Sequence, residues 1–322
     1  MFSLVIPVYK NEANVPRLLA ALVALAPTLP EALEVVFVVD GSPDQSHALL
    51  ARALPDLPFA AQLLAHSRNF GSFAAIRSGL QAARGERFGV MAADLQEPPE
   101  LMAAFDQALL RDEADVVIGT RRSRADGAVS QWSSRLFWAL YRRWVAAEMP
   151  EGGVDVFGCN RAFRDQLLAL EESRSSLIAL IFWLGFRRQL VAYDRQARQE
   201  GVSAWTLRKK IDYMLDSVFA FTDAPIRALT HLGVCGCGLA LLVGLAVLVA
   251  RLTGQIEVPG YTATMLAVLF FGSLNLLGLG IVGTYAWRAY ENTKARPLAI
   301  VARRQANGAA AASARESAGP QS

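Results

Sequence analysis

A carboxylate and an amide stand two residues apart at the end of an apolar run in the stretch MAADLQEPPE. The preceding run FGVMAA has the composition of a buried strand, so we expect Asp94 and Gln96 at its carboxyl end, on extended backbone that points both side chains the same way. Their hard oxygen atoms suit Mg²⁺ or Mn²⁺ bridging a diphosphate. The alternative is a capped helix start, which explains Pro98 and Pro99 but not a charged group at a strand end.

Polar residues also follow the other predicted strands. Tyr9 ends SLVIPVY and Asn11 follows it, Asp40 ends LEVVFVVD, and Arg121 ends ADVVIGTR with Arg122 directly after it. Asp-Gly-Ser turns such as the one that begins at Asp40 are common, so this turn alone does not identify a site. Ligands of open α/β sheets bind beyond the carboxyl ends of the strands, which makes this edge the candidate binding edge.

The elements that must position these residues alternate between strands and helices. Helical spacing of apolar residues is found in NVPRLLAALVALAP, SHALLARAL, SFAAIRSGLQAA and PPELMAAFDQALL. Strands are predicted between them, and the run LEVVFVVD indicates a strand buried on both faces. This alternation predicts an α/β fold with a mostly parallel sheet and helices on both faces.

Two uncharged stretches, Leu232 to Ala250 and Met265 to Trp287, are long enough to cross a bilayer. The mean hydropathy of +0.28 is high for a purely soluble protein. A pair of helices buried in a large soluble core is the alternative. The predicted segments are an enzyme domain at 1–200, amphipathic interface helices at 201–228, transmembrane helices at 229–251 and 262–288, and a disordered tail at 305–322.

Charged residues give an expected orientation. Several lysines and arginines precede the first predicted span and follow the second, whereas the connection between the spans carries only Arg251. This bias predicts a multi-pass protein with both termini in the cytoplasm. The beginning MFSLVIPVYK lacks the basic region and cleavage site of a signal peptide. The net charge of +3 suits an anionic membrane surface and does not indicate nucleic acid.

The cysteines and histidines do not suggest a metal centre. Three cysteines and three histidines are scattered along the chain. Neither a disulfide framework nor a zinc pattern is present in the sequence, and we expect no histidine metal site.

Seven segments occur in the order found in a known family: IPVYKNE, VDGSPD, RNFGSFAAIRSGL, AADLQEPPE, GTR, DVFGCNR and RQARQEGVSAW. From about Ser3 to Pro225 the chain resembles family two glycosyltransferases with the Rossmann-like GT-A fold, in the group that glycosylates polyprenyl phosphates. Bacterial members also have two C-terminal spans. The resemblance implies inverting transfer of a sugar from a nucleotide-sugar donor to undecaprenyl phosphate, with a divalent metal, on the cytoplasmic face of the bacterial inner membrane.

The resemblance also assigns roles to individual residues. It places the nucleotide against Pro7, Tyr9, Glu12 and Asp40, and the metal on Asp94 and Gln96. It makes Asp155 necessary for activity. It assigns Arg121 and Arg135 to the acceptor phosphate, and Arg195 and Arg198 to a mobile basic loop that closes over the phosphates.

Elementary chemistry agrees with this assignment. A phosphate monoester, with a second pKa of about 6, is already largely ionised near neutral pH and needs little help from a general base. The reaction does need stabilisation of the charge on the departing diphosphate, which a metal and arginine side chains supply. A lipid acceptor explains why the enzyme domain is tethered to a bilayer.

Departures from the family pattern leave two alternatives. Val39 and Ala92 stand where aspartates are usual, and DVFGCNR lacks the usual arginine. We expect weaker metal binding as the consequence; the rival is a catalytically silent relative that serves as a membrane scaffold or partner subunit. A processive polysaccharide synthase is disfavoured because the sequence lacks a Gln-x-x-Arg-Trp segment and further spans. A homo-oligomer is compatible with the sequence, which specifies neither oligomeric state, donor sugar, nucleotide base nor pathway.

Overall fold

The computed structural model describes residues 1–121, 148, 150, 154, 156–172, 176–195, 215–253 and 261–308. The chain divides into two compact units. The first is Met1–Lys210 together with Arg296–Ser322, and the second is Ile211–Ala295. The predicted enzyme domain at 1–200 therefore acquires a second segment from beyond the long apolar helices.

Eight strands of the first unit form one sheet in the order β7-β5-β6-β4-β1-β2-β3-β8. Their bounds are β1 Phe2–Val8, β2 Leu33–Val39, β3 Ala60–His66, β4 Arg87–Val90, β5 Val116–Arg121, β6 Phe157–Asn160, β7 Arg188–Tyr193 and β8 Val301–Ala306. β6 runs antiparallel to β4 and β5, and β8 runs antiparallel to β3, whereas the other pairs are parallel. The mostly parallel sheet predicted from the sequence is confirmed.

In the part of the first unit that the structure describes, six helices follow the predicted pattern in part. Their bounds are α1 Val15–Leu25, α2 Ser46–Ala53, α3 Ser72–Ala82, α4 Glu100–Leu110, α5 Arg161–Ala169 and α6 Leu177–Trp183. In α1 the residues at helical spacing, Val15, Leu18, Leu22 and Leu25, are buried, and Pro16 lies in its first turn, where a missing N–H costs nothing. All seven residues of β2 are buried, as its β-branched composition indicated.

The order of the strands in the sheet reverses at β1. β2 and β3 are added on one side of β1, and β4 on the other. At such a reversal the loops after neighbouring strands diverge and leave a crevice at the carboxyl ends of the strands. The loops that follow β1 and its neighbours are therefore the first candidates for a site.

β4 is shorter than predicted. It ends at Val90, because its pairing with β1 ends at Val5 and its pairing with β6 ends at Phe157. The prediction that a strand continues to Asp94 is wrong: Met91 N still donates to Val5 O of β1, but residues 93–94 form a turn and Leu95 has a left-handed φ of 54°.

The C-terminal segment that was predicted to be disordered begins with part of the strand β8. Gln305 and Ala306 belong to β8, and Asn307 is buried, so the expected disorder from 305 onward is wrong for these residues. The side chain of Asn307 accepts a hydrogen bond from Ala61 N and donates to Phe59 O. Arg304 donates to Gln62 Oε1. Residues 309–322 lie outside the described residues.

The second unit contains two long helices, α7 Ala224–Leu252 and α8 Tyr261–Thr293. Residues 215–221 are also helical, and 201–214 lie outside the described residues. Both long helices exceed their predicted spans, so 224–228 of the predicted interface segment belong to α7. Within the described residues, Phe270–Thr293 is the one helical segment that is long and apolar enough to cross a membrane by length and composition. The prediction of two spans is therefore not confirmed.

Candidate functional site

The loops after β1 and β2 are joined by backbone amides. Lys10 N donates to Ser42 Oγ at 2.8 Å, and Glu12 N donates to Asp44 Oδ2 at 3.0 Å. Gln45 N returns the contact by donating to Glu12 Oε2 at 2.8 Å. Because each loop supplies both donors and acceptors to the other, the two loops form one structural piece.

A cavity of about 360 Å³ lies between these two loops. It is lined by Lys10, Asn11, Glu12, Ala13, Asn14, Pro43 and Asp44. Of the residues predicted to bind the nucleotide, Glu12 lines this cavity. Tyr9 is exposed directly before it, and Pro7 is half-buried within β1.

Asp44, which the sequence analysis did not single out, organises the cavity wall. Burial would raise the pKa of its carboxyl group, but hydrogen bonds from Ser42, Ser46 and two backbone amides more than offset this, so the pKa lies below its usual value. Asp44 is therefore ionised at neutral pH. The spacing Ser-Pro-Asp-x-Ser after the turn is the sequence signal that could have identified this group.

The carboxylate of Asp40 points into the interior of the protein. Its Oδ1 accepts from Phe70 N at 2.8 Å and its Oδ2 from Gly71 N at 2.7 Å, and His66 Nδ1 lies 2.8 Å from Oδ1. The carboxylate is 3% exposed. Its assignment to nucleotide binding stays a prediction, and its visible contacts are with the loop between β3 and α3. His66 is a further residue that the sequence analysis left without a role.

Asp94 and Gln96 lie in a turn rather than on extended backbone. Gln96 N is 3.4 Å from Asp94 Oδ1, and Leu95 between them has the left-handed φ noted above. Such a φ is uncommon for a residue other than glycine, and strained residues of this kind cluster at functional sites. Gln96 is buried and Asp94 is partly exposed.

Arg195 and Gln96 come together from distant parts of the sequence. Arg195 follows β7, Gln96 follows β4, and the guanidinium of Arg195 donates to Gln96 Oε1. Arg121, the last residue of β5, pairs in register with Tyr193 of β7, so its backbone ends at the same edge of the sheet. Asp155, Arg135 and Arg198 lie outside the described residues, and their roles remain predictions.

The oxygen atoms after β4 fit a divalent cation in part. Among the described residues no three His, Cys, Asp or Glu side chains cluster as metal ligands. Asp94 and Gln96 offer one carboxylate and one amide oxygen, and Mg²⁺ is commonly held by one or two carboxylates, substrate phosphates and water. The donor set therefore suits a metal that is completed by a bound diphosphate.

Comparisons with known proteins identify the family of the chain. Residues 3–170 match the model of the family named Glycosyl transferase family 2. The protein named uncharacterized glycosyltransferase sll0501, from Synechocystis sp., is 32% identical over 93% of this chain and 94% of its own length. The undecaprenyl-phosphate 4-deoxy-4-formamido-L-arabinose transferase of Pseudomonas paraeruginosa is 34% identical over 94% of this chain and 90% of its own.

Among solved structures, one similar chain is glucosyl-3-phosphoglycerate synthase from Mycobacterium tuberculosis in complex with Mn²⁺, uridine-diphosphate-glucose and phosphoglyceric acid. It is 14% identical, with a TM-score of 0.45 over 68% of this chain and 78% of that chain. The family match covers more than half of the sequence and falls on the α/β sheet with its strand-end cavity. The chain therefore belongs to glycosyl transferase family 2 and is a glycosyltransferase with a GT-A-like fold.

Proposed function

We propose that the protein transfers a sugar from a nucleotide-sugar donor to undecaprenyl phosphate, with inversion at the anomeric carbon. The observation that carries this proposal is the similarity to the undecaprenyl-phosphate sugar transferase of P. paraeruginosa, which extends over 94% of the chain. A match of this extent includes the long apolar helices as well as the sheet. A shared lipid acceptor accounts for similarity in both parts.

The nucleoside part of the donor would bind at the cavity between the loops after β1 and β2. Glu12 and Asp44 are fixed there by backbone amides. Their oxygen atoms already accept hydrogen bonds from the protein, so a ligand would meet a wall of set shape. Pre-organisation of this kind lowers the entropic cost of binding.

The diphosphate of the donor would lie beside Asp94 and Gln96, which would hold the divalent metal. A bound Mg²⁺ or Mn²⁺ neutralises charge on the departing nucleoside diphosphate. Arg195, which now contacts Gln96, would add a second cation on the same side of the sheet. Arginine suits this role because its planar fork of N–H groups matches phosphate oxygens.

In the transfer step an oxygen of the acceptor phosphate would attack the anomeric carbon of the sugar. A new bond forms from that oxygen to the carbon, and the bond from the carbon to the donor diphosphate breaks, so the diphosphate leaves with the electron pair. Attack on the face opposite the leaving group inverts the anomeric centre. Arg121 and Arg135 are proposed to hold the acceptor phosphate, and Asp155 is proposed to be required for transfer.

The fold constrains how the chain could cross a membrane. β8 follows both long helices, yet it pairs with β3 of the first unit. The chain must therefore return to the side from which it left, so any crossings between 210 and 296 are even in number. This supports two spans with both termini in the cytoplasm of a bacterial inner membrane, which the distribution of basic residues also favours.

The experiment is a transfer assay on membranes that contain the full chain. A panel of nucleotide sugars would be supplied with undecaprenyl phosphate, and lipid products would be identified by mass spectrometry. We expect one donor to give a polyprenyl-phosphate sugar, and Asp155→Asn to abolish its formation. Failure of every donor, together with no Mn²⁺-dependent binding of nucleotide sugars in calorimetry, would support the silent-scaffold alternative instead.

A further inference from the structure

A chain of three polar side chains lies behind the cavity wall. His66, the last residue of β3, has its Nδ1 2.8 Å from Asp40 Oδ1 and its Nε2 2.9 Å from Ser78 Oγ. The imidazole is fully buried. Because a carboxylate only accepts hydrogen bonds, Nδ1 donates to Asp40 and Nε2 accepts from the hydroxyl of Ser78 in the neutral ring.

Asp40, in turn, fixes the loop that begins helix α3. Its two oxygen atoms accept from the backbone amides of Phe70 and Gly71, and Gly71 is the residue that immediately precedes α3. The first amides of a helix have no partner within the helix, and a negative charge is favourable at this end. A carboxylate that follows β2 therefore fixes the two backbone amides that lead into a helix after β3.

The same loop packs against the turn after β2. A Cβ atom built on Gly41 would come within 2.3 Å of the backbone carbon of Arg68 and 2.4 Å of Asn69 N. Ser42, the next residue of that turn, accepts from Lys10 N, and Lys10 lines the cavity. Contacts thus run from the buried histidine to the loop at 67–71, then to the turn after β2, and then to the cavity.

We propose that His66 is a positioning residue for the donor site. By linking Asp40 to Ser78 it fixes the loop at 67–71, and through Gly41 it fixes the turn that forms one wall of the cavity. The buried ring touches no substrate. The inference rests on the proposed function, because that function names the ligand as a nucleoside diphosphate. In this proposal Asp40 acts indirectly, by fixing the loop at 67–71, and does not contact the nucleotide.

The residue types are those of a hydrolase triad, but their setting differs. Ser78 lies within α3, which packs on β1 and β2. In a hydrolase triad the serine must reach a substrate carbonyl beside an oxyanion hole. A serine within a helix that packs on the sheet is suited to anchoring the imidazole.

The test compares His66→Ala with His66→Asn in the full chain. Asparagine places an N–H near the position of Nδ1 and can keep the bond to Asp40. We expect His66→Ala to weaken binding of the preferred nucleoside diphosphate, measured by calorimetry, and to raise the KM for the donor by about tenfold. We expect kcat to change by less than about twofold, because the reacting atoms keep their partners.

His66→Asn should recover most of the affinity, and His47→Ala, on helix α2, should bind as the wild type does.

Amide hydrogen exchange gives a readout that needs neither substrate nor metal. In His66→Ala the peptide covering 67–73 should exchange about tenfold faster, since the amides of Phe70 and Gly71 lose a fixed acceptor. Faster exchange with unchanged nucleotide affinity would overturn the proposal, and so would unchanged exchange. If His66→Ala does not fold, Ser78→Ala carries the same comparison. A wild-type chain that binds none of the nucleoside diphosphates would refute the proposed function, while the exchange result would still test the fixed loop.

Discussion

The loops after β1, β2 and β3 are held together through backbone amides, whereas the candidate residues after β4 and β7 meet through side chains. Ser42, Asp44 and Asp40 each accept from a backbone N–H of another loop. Arg195, in contrast, reaches Gln96 with its guanidinium. A backbone donor moves only when its whole loop moves, but an exposed side chain changes rotamer within picoseconds to nanoseconds.

The loops after β1, β2 and β3 therefore form a prebuilt region. Gln96 and Arg195 belong to an exchangeable region, in which a side chain can change its partner. The cavity between the first two loops needs no rearrangement to keep its shape. The oxygen of Gln96 already accepts from the guanidinium of Arg195. We propose that this same oxygen would hold a divalent metal and that Arg195 would then serve the phosphates. We therefore expect nucleoside binding to depend weakly on metal, and transfer to depend on it strongly.

The largest expected effect comes from breaking the prebuilt region at Gly41. In Gly41→Ala the new methyl group would overlap the backbone of Arg68 and Asn69, so the loop must move. We expect about a 100-fold loss of nucleoside diphosphate affinity, or loss of the fold, measured by calorimetry and by thermal unfolding. The control is Gly185→Ala, where the φ of 72° is also positive but the nearest atom lies 4.0 Å from the added Cβ. Equal tolerance of the two substitutions would contradict the packing described.

The exchangeable region is broken by Asp94→Ala. Asp94 is the carboxylate proposed to hold the metal, so we expect transfer to fall by about 50-fold when it is removed. Binding of the nucleoside diphosphate in the absence of metal should remain. Asp56→Ala removes an exposed carboxylate after α2 and serves as the control. If metal-free nucleotide binding disappeared together with transfer, the two regions would not be separable.

A substitution that increases metal affinity tests the exchangeable region by a gain of binding instead of a loss. Ala92→Asp places a second carboxylate two residues before Asp94, and we expect Mn²⁺ to bind about tenfold more tightly because oxygen sites are tuned by the number of charged ligands. Calorimetric titration measures this, and Ala92→Asn separates charge from size. An unchanged Mn²⁺ affinity would show that Ala92 is remote from the cation.

The smallest expected effect is a change in thermal stability with pH that depends on the carboxyl group of Asp44. The pKa of this carboxyl group is lowered in the fold, so its contribution to stability is complete above its unfolded pKa of about 3.9 and is lost as the pH falls through the lower folded value. Asp44→Asn should therefore lower the thermal midpoint at pH 7 by a few degrees, and the difference from wild type should shrink below about pH 3.9. A difference that persisted into stronger acid would mean that Asp44 acts without its charge. Asp56→Asn, which removes an exposed carboxylate outside this cluster, serves as the control.

The sequence predicted those parts of the fold in which burial follows a simple period. The strand β2 is apolar throughout, and helix α1 has its apolar residues at helical spacing, so both were recognised. β8 has the sequence VARRQA and is exposed along its whole length, so no apolar alternation marks it. Its position depends on Arg304 and Asn307, whose partners lie about 240 residues earlier in the chain.

The candidate site was predicted in part for the same reason. Residue type and position after a strand were enough to select Asp94 and Gln96, and the family resemblance selected Arg195, but only the fold brings Arg195 to Gln96. The direction of the Asp40 side chain depends on His66, Phe70 and Gly71, which are 26 to 31 residues away in sequence. Local spacing does not encode such contacts.

The strand β8 also has a consequence for the order in which the protein assembles. Asn307 bonds to Ala61 across 246 residues, and both long helices are synthesised between them. During translation the outer edge of β3 therefore stays open until the ribosome has passed both helices and the segment beyond them. An unpaired strand edge is a template for association with other chains. Completion of the sheet must therefore wait until the apolar helices have been made, and for that interval the nascent sheet carries an open edge.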